Sequence, residues 1–429
     1  MNQTTILESG DGLFNTHVSV EDVEELIQDQ MRTKSSLGKN TKYTVIGEGN
    51  GIMSRIILVE PEWTVPDDHL PLKFVLKIPY CVHIQGLIKQ MTAGNPMSKE
   101  AEAGIWAMFE IEAQGVHNRE VNMNKILEKW NKNDVILNPK IYFSKKFDAE
   151  NKRKGVIGME YVKDNIVRHL YVNVKPEELH PVLKSLAHFQ AGTFHLTDEE
   201  KQSIHGFDFA KMVGPFMTED GVKQMLQGAR MMNPEKLDEK VKKIEEFGIE
   251  VVNFELACNV NKYVGITEPV LVHGDLWSTN ILWKEKSGKM SANRIIDYAG
   301  IHMGNPAEDI VRLFVSTLSG VDRRNNWKTL LEQFYKYFLE ALQGEEAPYT
   351  LEQLKDSYRY YFVLGGLGLL PLFGPVTQAK LMMCSEKEDK ESYQRILTEK
   401  VEHLLGDVEK YHLYSRNVTK SYKKPVTRI

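Results

Sequence analysis

The residues from Leu271 to Asn280 read LVHGDLWSTN, and Asp297 follows in the segment RIIDY. Transfer of a nucleotide's terminal phosphoryl group demands a base near the acceptor hydroxyl and oxygen ligands for the magnesium on the phosphates. Asp275, Asn280 and Asp297 are suitable groups, because magnesium is a hard cation that takes carboxylate and amide oxygens beside phosphates and waters. Taken alone, Asp275 is equally well a turn residue that satisfies backbone amides. His273, a single histidine after an apolar strand, reads as a structural residue that holds the loop.

The elements that position these groups are short. Val270–Val272 reads as a buried strand entering a loop, and Ile281-Leu282-Trp283 as a strand leaving it. A hairpin partner, Asn293–Ile296, would deliver Asp297 beside that loop, so that the three oxygen ligands converge from two adjacent connections. Upstream, Gly47, Gly49 and Gly51 fall in a turn between Tyr43-Thr44-Val45 and Ile56–Val59, two apolar stretches that read as paired strands. Glycine lets a turn approach phosphates closely and adopt positive φ, although an ordinary hairpin turn has the same composition. Lys77 follows in the strand-like run FVLKIP, where a lysine is otherwise an edge-strand charge.

HGDxxxxN followed by IDY and then GNPAEDIVRLF resembles the aminoglycoside phosphotransferase and choline kinase branch of the kinase-like fold. Within it, the WSTNIL context, the HNREV segment and the GNPAED turn are most similar to the CHK kinase-like, or ecdysteroid kinase-like, family, and the likeness covers nearly the whole chain. Gly274 matches this small-molecule branch, whereas the protein-kinase counterpart carries an arginine after the histidine. The resemblance implies that Asp275 is the catalytic base, that Asn280 and Asp297 are the magnesium ligands, and that Lys77 contacts the nucleotide phosphates. It also implies an acidic partner for Lys77 on a following helix. Glu120 in HNREVNMNKILEKW is the best placed, with Glu110 and Glu112 as competitors and an insertion around Cys81 to Glu112. The strand VIGMEYV, Val156–Val162, takes the place of the family's adenine-binding link, where Glu160 would offer its carbonyl, Val162 its amide, and Met159 would line the back of the pocket. Asp309 would brace the catalytic loop. Ala299 departs from the larger polar side chain that relatives often carry there.

The implied fold is α+β and bilobal, protein-kinase-like, with a small strand-rich N-lobe and a larger, mostly helical C-lobe. Its expected parts are an N-terminal extension over residues 1–40 with a helix capped by Ser19, a nucleotide-binding lobe over 41–162, and a catalytic and acceptor-binding lobe over 163–429. Asn305-Pro306-Ala307-Glu308 is a helix start, with an asparagine cap, a first-turn proline and a glutamate that completes a capping-box pattern. Apolar spacing predicts helices over Pro176–Ala191, Pro234–Tyr263, Asn305–Leu318, Trp327–Leu342 and Leu351–Leu364.

Composition agrees with an ordinary soluble globular protein, at 42% hydrophobic and 26% charged residues. A net charge of -5 argues against a dedicated nucleic-acid binder. Cys81, Cys258 and Cys384 form no metal-binding spacing and suit a reduced compartment. With no signal-like start, a cytoplasmic location is expected. The apolar run Tyr360–Val376 is interrupted by glycine and proline and is short for a membrane span; it reads as core or as a wall of the acceptor pocket. The basic ending SRNVTKSYKKPVTRI reads as a loose tail.

The function these readings imply is an ATP- and magnesium-dependent kinase that phosphorylates a hydroxyl of a small molecule. Steroid-like alcohols or detoxification conjugates are the acceptor classes the resemblance suggests, with choline or aminoglycoside types more distant. A noncatalytic nucleotide-binding module is the reading from a different class, disfavoured because a binder need not keep the base. A protein kinase is disfavoured by Gly274 and by the lack of a recognisable activation segment. No protein partner is evident.

Overall fold

The structure is a computed structural model that describes residues 5–47, 53–82, 99–132, 134–206, 214, 217–376 and 387–421. The chain divides into two compact units. One comprises Met1–Asn133, Asn138–Lys163 and Gln202–Ile204, and the other Asp134–Leu137, Asp164–Lys201 and His205–Ile429.

The first unit is built on an antiparallel sheet of β1 (Lys42–Ile46), β2 (Ser54–Glu60), β3 (Phe74–Pro79), β4 (Ile141–Lys145) and β5 (Val156–Glu160), in the order β1-β2-β3-β5-β4. Side chains alternate across a strand, so Phe74, Leu76 and Ile78 share one face of β3. There they form a core with Ile57, Val59, Phe143 and Val156, completed by Val23, Leu26 and Ile27 of α1 (Val20–Gln30). Each such side chain contributes roughly 1.5–3 kcal/mol when fully buried. Helix α1 starts at a capping box: the Ser19 hydroxyl accepts from the Asp22 amide at 3.3 Å, and the Asp22 carboxylate accepts from the Ser19 amide at 2.9 Å. Residues Val18 to Ile27 of the expected N-terminal extension thus help to build this core.

The alternation sends Lys77 to the opposite face, which meets α2 (Lys99–Trp130), a helix of 32 residues. The strand expected over Val156–Val162 ends at Glu160. Its partner there, Phe74, is the first residue of β3, so no ladder remains for the next residues. Val162 lies buried beyond the strand end.

The second unit is mostly helical. Its helices include α3 (His180–Ala191), α4 (Glu219–Met232), α5 (Pro234–Phe247), α6 (Glu308–Thr317), α7 (Gly320–Ala341), α8 (Leu351–Leu367) and α9 (Lys387–Ser415). Two small antiparallel sheets carry the loops of interest. One pairs β7 (Val270–Val272) with β10 (His302–Gly304), and the other orders β6 (Ile166–Val167), β8 (Ile281–Lys286) and β9 (Lys289–Ile295) as β6-β8-β9.

The single helix expected over Pro234–Tyr263 is broken. Gly248 at φ 54° ends α5, and only short helical turns, Phe254–Cys258 and Val260–Val264, follow. Helix α7 begins earlier than expected, where the Ser319 hydroxyl accepts from the Asp322 amide at 3.0 Å. Within the run Tyr360–Val376, Phe362, Leu364, Leu367, Leu369 and Phe373 are buried, which is the core reading. Among the described residues no helix is long and apolar enough to cross a membrane.

Candidate active site

In the first unit, Lys77 sits in mid-sheet, opposite Ile56 on β2 and Ile157 on β5. Its ammonium donates to both Glu120 oxygens, at 2.9 and 2.7 Å, with the two side chains 9% and 4% exposed. A charge pair this buried requires close geometry to offset desolvation, and the two-oxygen contact supplies it. Of the competitors, the Glu110 carboxylate accepts from the Ile6 amide at 3.0 Å, and Glu112 is exposed. Of the insertion expected around Cys81 to Glu112, residues 83–98 lie outside the described residues, and Glu120 is carried on the continuous helix α2.

Gly47 adopts a φ of 68°, a conformation that favours glycine, whereas Gly49 and Gly51 lie outside the described residues. Met159 is opposite Val75 and Ile141 in the ladder. The Glu160 amide donates to the Lys140 carbonyl at 2.8 Å, while its carboxylate accepts from the Lys140 amide at 3.2 Å.

In the second unit, the buried strand β7 delivers the loop 273–280. Gly274 has a φ of 80°, and a Cβ there would lie 2.0 Å from the Gly300 carbonyl oxygen, so this loop and the one after Asp297 touch backbone to backbone. The buried Asp309 carboxylate accepts from the His273 and Gly274 amides at 2.7 and 2.9 Å. Burial pushes its pKa up to about 6, against the downward pull of those two N–H groups. The His273 ring completes the support: Nδ1 accepts from the Asp275 amide at 3.3 Å, and Nε2 faces the Ile296 carbonyl at 3.2 Å.

Both oxygens of Asp275 are engaged. Asn280 Nδ2 donates to Oδ2 at 2.9 Å and to the Asp275 carbonyl at 2.8 Å, and Arg312 Nη2 donates to Oδ1 at 2.6 Å. Burial raises the pKa of Asp275, and the negative charge of Asp297 adds to the rise, while Arg312 and Asn280 oppose it. The Asn280 amide nitrogen is committed to Asp275, and its amide oxygen makes no hydrogen bond among the described residues. The Ile296 amide donates to the Asn280 carbonyl at 3.0 Å, tying the two loops together. Asp297 is held in the left-handed region at φ 70°, a conformation that aspartate tolerates better than most residues. The second unit therefore brings Asp275, Asn280 and Asp297 into one region.

Two contributors escaped the sequence reading, Arg312 and Ser316. With Asp309 they occupy positions i, i+3 and i+7 of α6, one helix face, and all three contact the same loop; the Ser278 amide donates to the Ser316 hydroxyl at 3.1 Å. The signal was present as polar residues at helical spacing within the apolar run DIVRLFVST. His302 adds a further tie. Its ring faces the Gly300 carbonyl at 2.7 Å and Glu308 at 3.1 Å, and Glu308 also accepts from the Asn305 amide at 2.6 Å. The helix expected from Asn305 itself begins at Glu308, with Ala307 at the cap position and a turn over 305–308 ahead of it.

The family model DUF1679, described as "Uncharacterized oxidoreductase dhs-27", matches residues 6–416. The Caenorhabditis elegans protein called uncharacterized oxidoreductase dhs-27 is 25% identical over 378 residues, which are 83% of this chain and 42% of that protein. From the same organism, the uncharacterized kinase-like protein D1044.1 is 36% identical over 93 residues, 22% of this chain and 24% of that protein. The matched stretches thus cover less than half the length of either of these relatives. Among solved structures, choline kinase from Cryptosporidium parvum is similar with a TM-score of 0.45 at 12% identity, covering 89% of this chain and 93% of that one. The chain belongs to the DUF1679 family, which is related to the CHK kinase-like group.

Proposed function

We propose that this chain is an ATP- and magnesium-dependent kinase that phosphorylates a hydroxyl of a small molecule, with Asp275 as the base. The observation that carries the reading is the Asp275 carboxylate, aimed by Asn280 on one oxygen and set in a loop whose backbone amides are anchored by Asp309. In the reaction the acceptor hydroxyl gives its proton to Asp275, and its oxygen forms a bond to the terminal phosphorus. The bond from that phosphorus to the bridging oxygen breaks, and the nucleoside diphosphate leaves. Catalysis of this kind is mostly positioning and electrostatic stabilisation.

The unpaired Asn280 amide oxygen and the nearby Asp297 charge form a donor set that fits magnesium. These two residues would hold the ion, which when bound neutralises phosphate charge. Lys77, aligned by Glu120, would contact the nucleotide phosphates, with Gly47, Gly49 and Gly51 in the turn above them and Met159, Glu160 and Val162 at the adenine. Residues 41–162 would accordingly be the nucleotide-binding domain and 163–429 the catalytic and acceptor-binding one.

A steroid-like alcohol or a detoxification conjugate remains the broad acceptor class. Arg312 beside the base disfavours a cationic acceptor of choline or aminoglycoside type, since like charges at close range repel. The oxidoreductase in a relative's name belongs to a protein of which the match covers 42%. A nicotinamide dinucleotide fold needs a parallel sheet, and every strand pair among the described residues is antiparallel.

The test is an ATP-consumption screen against a small-molecule alcohol library with the full chain and its Asp275→Asn and Asp297→Asn variants. The expected result for Asp275→Asn is a loss of about 100-fold or more in kcat with magnesium-nucleotide binding retained. For Asp297→Asn the expected result is a higher magnesium requirement. Full activity in Asp275→Asn removes the base assignment. Nucleotide binding without transfer to any alcohol would instead favour the noncatalytic module.

A further inference from the structure

Arg312 holds Asp275 Oδ1 at 2.6 Å, and this is its only ion pair among the described residues. The other carboxylates at the start of its helix are engaged elsewhere: Glu308 with His302 and the Asn305 amide, Asp309 with the amides of His273 and Gly274. The Arg312 Nε is buried and has no acceptor. An unsatisfied buried donor costs about 1–3 kcal/mol, so the resting arrangement leaves the guanidinium short of one partner. The group is nevertheless reachable, since the Arg312 side chain is 26% exposed and that of Asp275 33%.

We infer that Arg312 recognises the acceptor, and that the acceptor carries a carboxylate beside the hydroxyl that receives the phosphoryl group. This rests on the kinase reading given above. A guanidinium presents a planar fork of donors that matches a carboxylate through two parallel hydrogen bonds. An incoming carboxylate meets the exposed part of the guanidinium and draws it from Asp275 Oδ1, a shift that also takes Nε out of the position in which it has no acceptor, and the freed oxygen then meets the neighbouring hydroxyl. Neither charge is stranded in this exchange, because Arg312 trades one carboxylate for another while Asp275 gains the hydroxyl proton. A neutral alcohol has no group to draw Arg312 away, so within the broad class of steroid-like alcohols and conjugates the carboxylate-bearing members are the ones that free the base. A cationic acceptor meets a guanidinium where it needs an anion. The transfer balances as before: the hydroxyl proton passes to Asp275 and on to solvent, an oxygen–phosphorus bond forms, and the nucleoside diphosphate leaves with the bridging oxygen.

The experiment compares acceptors of two skeletons, each in three charges: mandelate, mandelamide and 2-amino-1-phenylethanol, together with glycerate, glyceramide and 3-amino-1,2-propanediol. ADP release from Mg-ATP by the full chain is measured for each. The acids are expected to lead their amides and amines by about 100-fold or more in kcat/KM, the scale of a truncated charge-paired contact. In Arg312→Gln the lead should collapse chiefly through KM, and Arg312→Lys should restore part of it. An amide or amine turned over as well as its acid overturns the inference, as does a lead that survives Arg312→Gln. Calorimetric titration of the acids without nucleotide gives a second readout: binding that is lost in Arg312→Gln but kept in Asp275→Asn supports the inference, and no acid binding at all overturns it. Acid binding through Arg312 without any Asp275-dependent ATP cleavage would sink the kinase reading alone.

Discussion

Gly274 illustrates how a single residue sets the geometry of the candidate site. Its left-handed backbone costs any residue with a Cβ about 1–2 kcal/mol. The Gly300 carbonyl, 2.0 Å from where that Cβ would sit, is backbone and cannot rotate away. Gly274→Ala is therefore expected to destabilise the second unit by about 2–4 kcal/mol and to lower acceptor turnover more than nucleotide binding. Urea unfolding followed by tryptophan fluorescence, read beside the activity, checks both, and an alanine variant of wild-type stability would show that the two loops do not need this contact. The sequence displayed Gly274 as a mark of the small-molecule branch without revealing the reason, which lies in a carbonyl distant along the chain. Lys77 and Glu120 were legible from their order along the chain, and the structure pairs them. Arg312 was not, because a lone arginine inside a helix that apolar spacing already explains carries no sign of what it faces.

At the scale of elements, α6 acts as a brace for the loop 273–280. Asp309 anchors two amides of that loop, Arg312 reaches Asp275, and Ser316 accepts from Ser278. The helix start was readable from Asn305 and Glu308, whose bonds form a turn just ahead of its first residue. The function of its polar face was readable only once the loop beside it was known. Elsewhere the sequence pattern ran too far: the apolar spacing through Leu237, Val241 and Ile244 continues past Gly248, and periodicity alone does not register a glycine that leaves the helical region. The brace makes a definite prediction. Asp309→Ala leaves the buried His273 amide and the half-buried Gly274 amide without an acceptor, each costing about 1–3 kcal/mol when buried, so a stability loss of about 2–5 kcal/mol is expected, together with a fall in kcat. Asp309→Asn keeps one accepting oxygen and should lose about half as much stability. Equal losses in the two variants, measured by chemical denaturation, would show that Asp309 contributes its packing volume rather than its hydrogen bonds.

At the scale of the whole molecule, the second unit stores cations in its interior. Arg323, 1% exposed, shares the Asp407 carboxylate with Arg324. Lys400 of α9 is fully buried and donates to the Ser316 and Thr317 carbonyls at 2.9 and 3.3 Å, closing the C-terminal end of α6. Burial lowers its pKa to about 7, with help from the charges of Arg323 and Arg168 and against that of Glu399. The sign of the resulting pH dependence follows from proton counting. Between about 7 and the ordinary lysine value near 10.5, the unfolded chain holds a proton on Lys400 that the folded chain does not, so stability rises with pH. The limiting slope is about 1.4 kcal/mol per pH unit, and the gain vanishes as pH falls through 7. Cys81, whose thiol burial pushes up to about 12, opposes this above pH 9, which confines the useful window to pH 7–9. Comparison with Lys400→Met cancels every other titrating group. The stability of the wild type relative to Lys400→Met should climb by about 2 kcal/mol across that window, measured by urea unfolding at successive pH values. Parallel curves for the two proteins would mean that Lys400 keeps its proton in the folded state, and that the two carbonyls of α6 are capped by an ammonium rather than an amine.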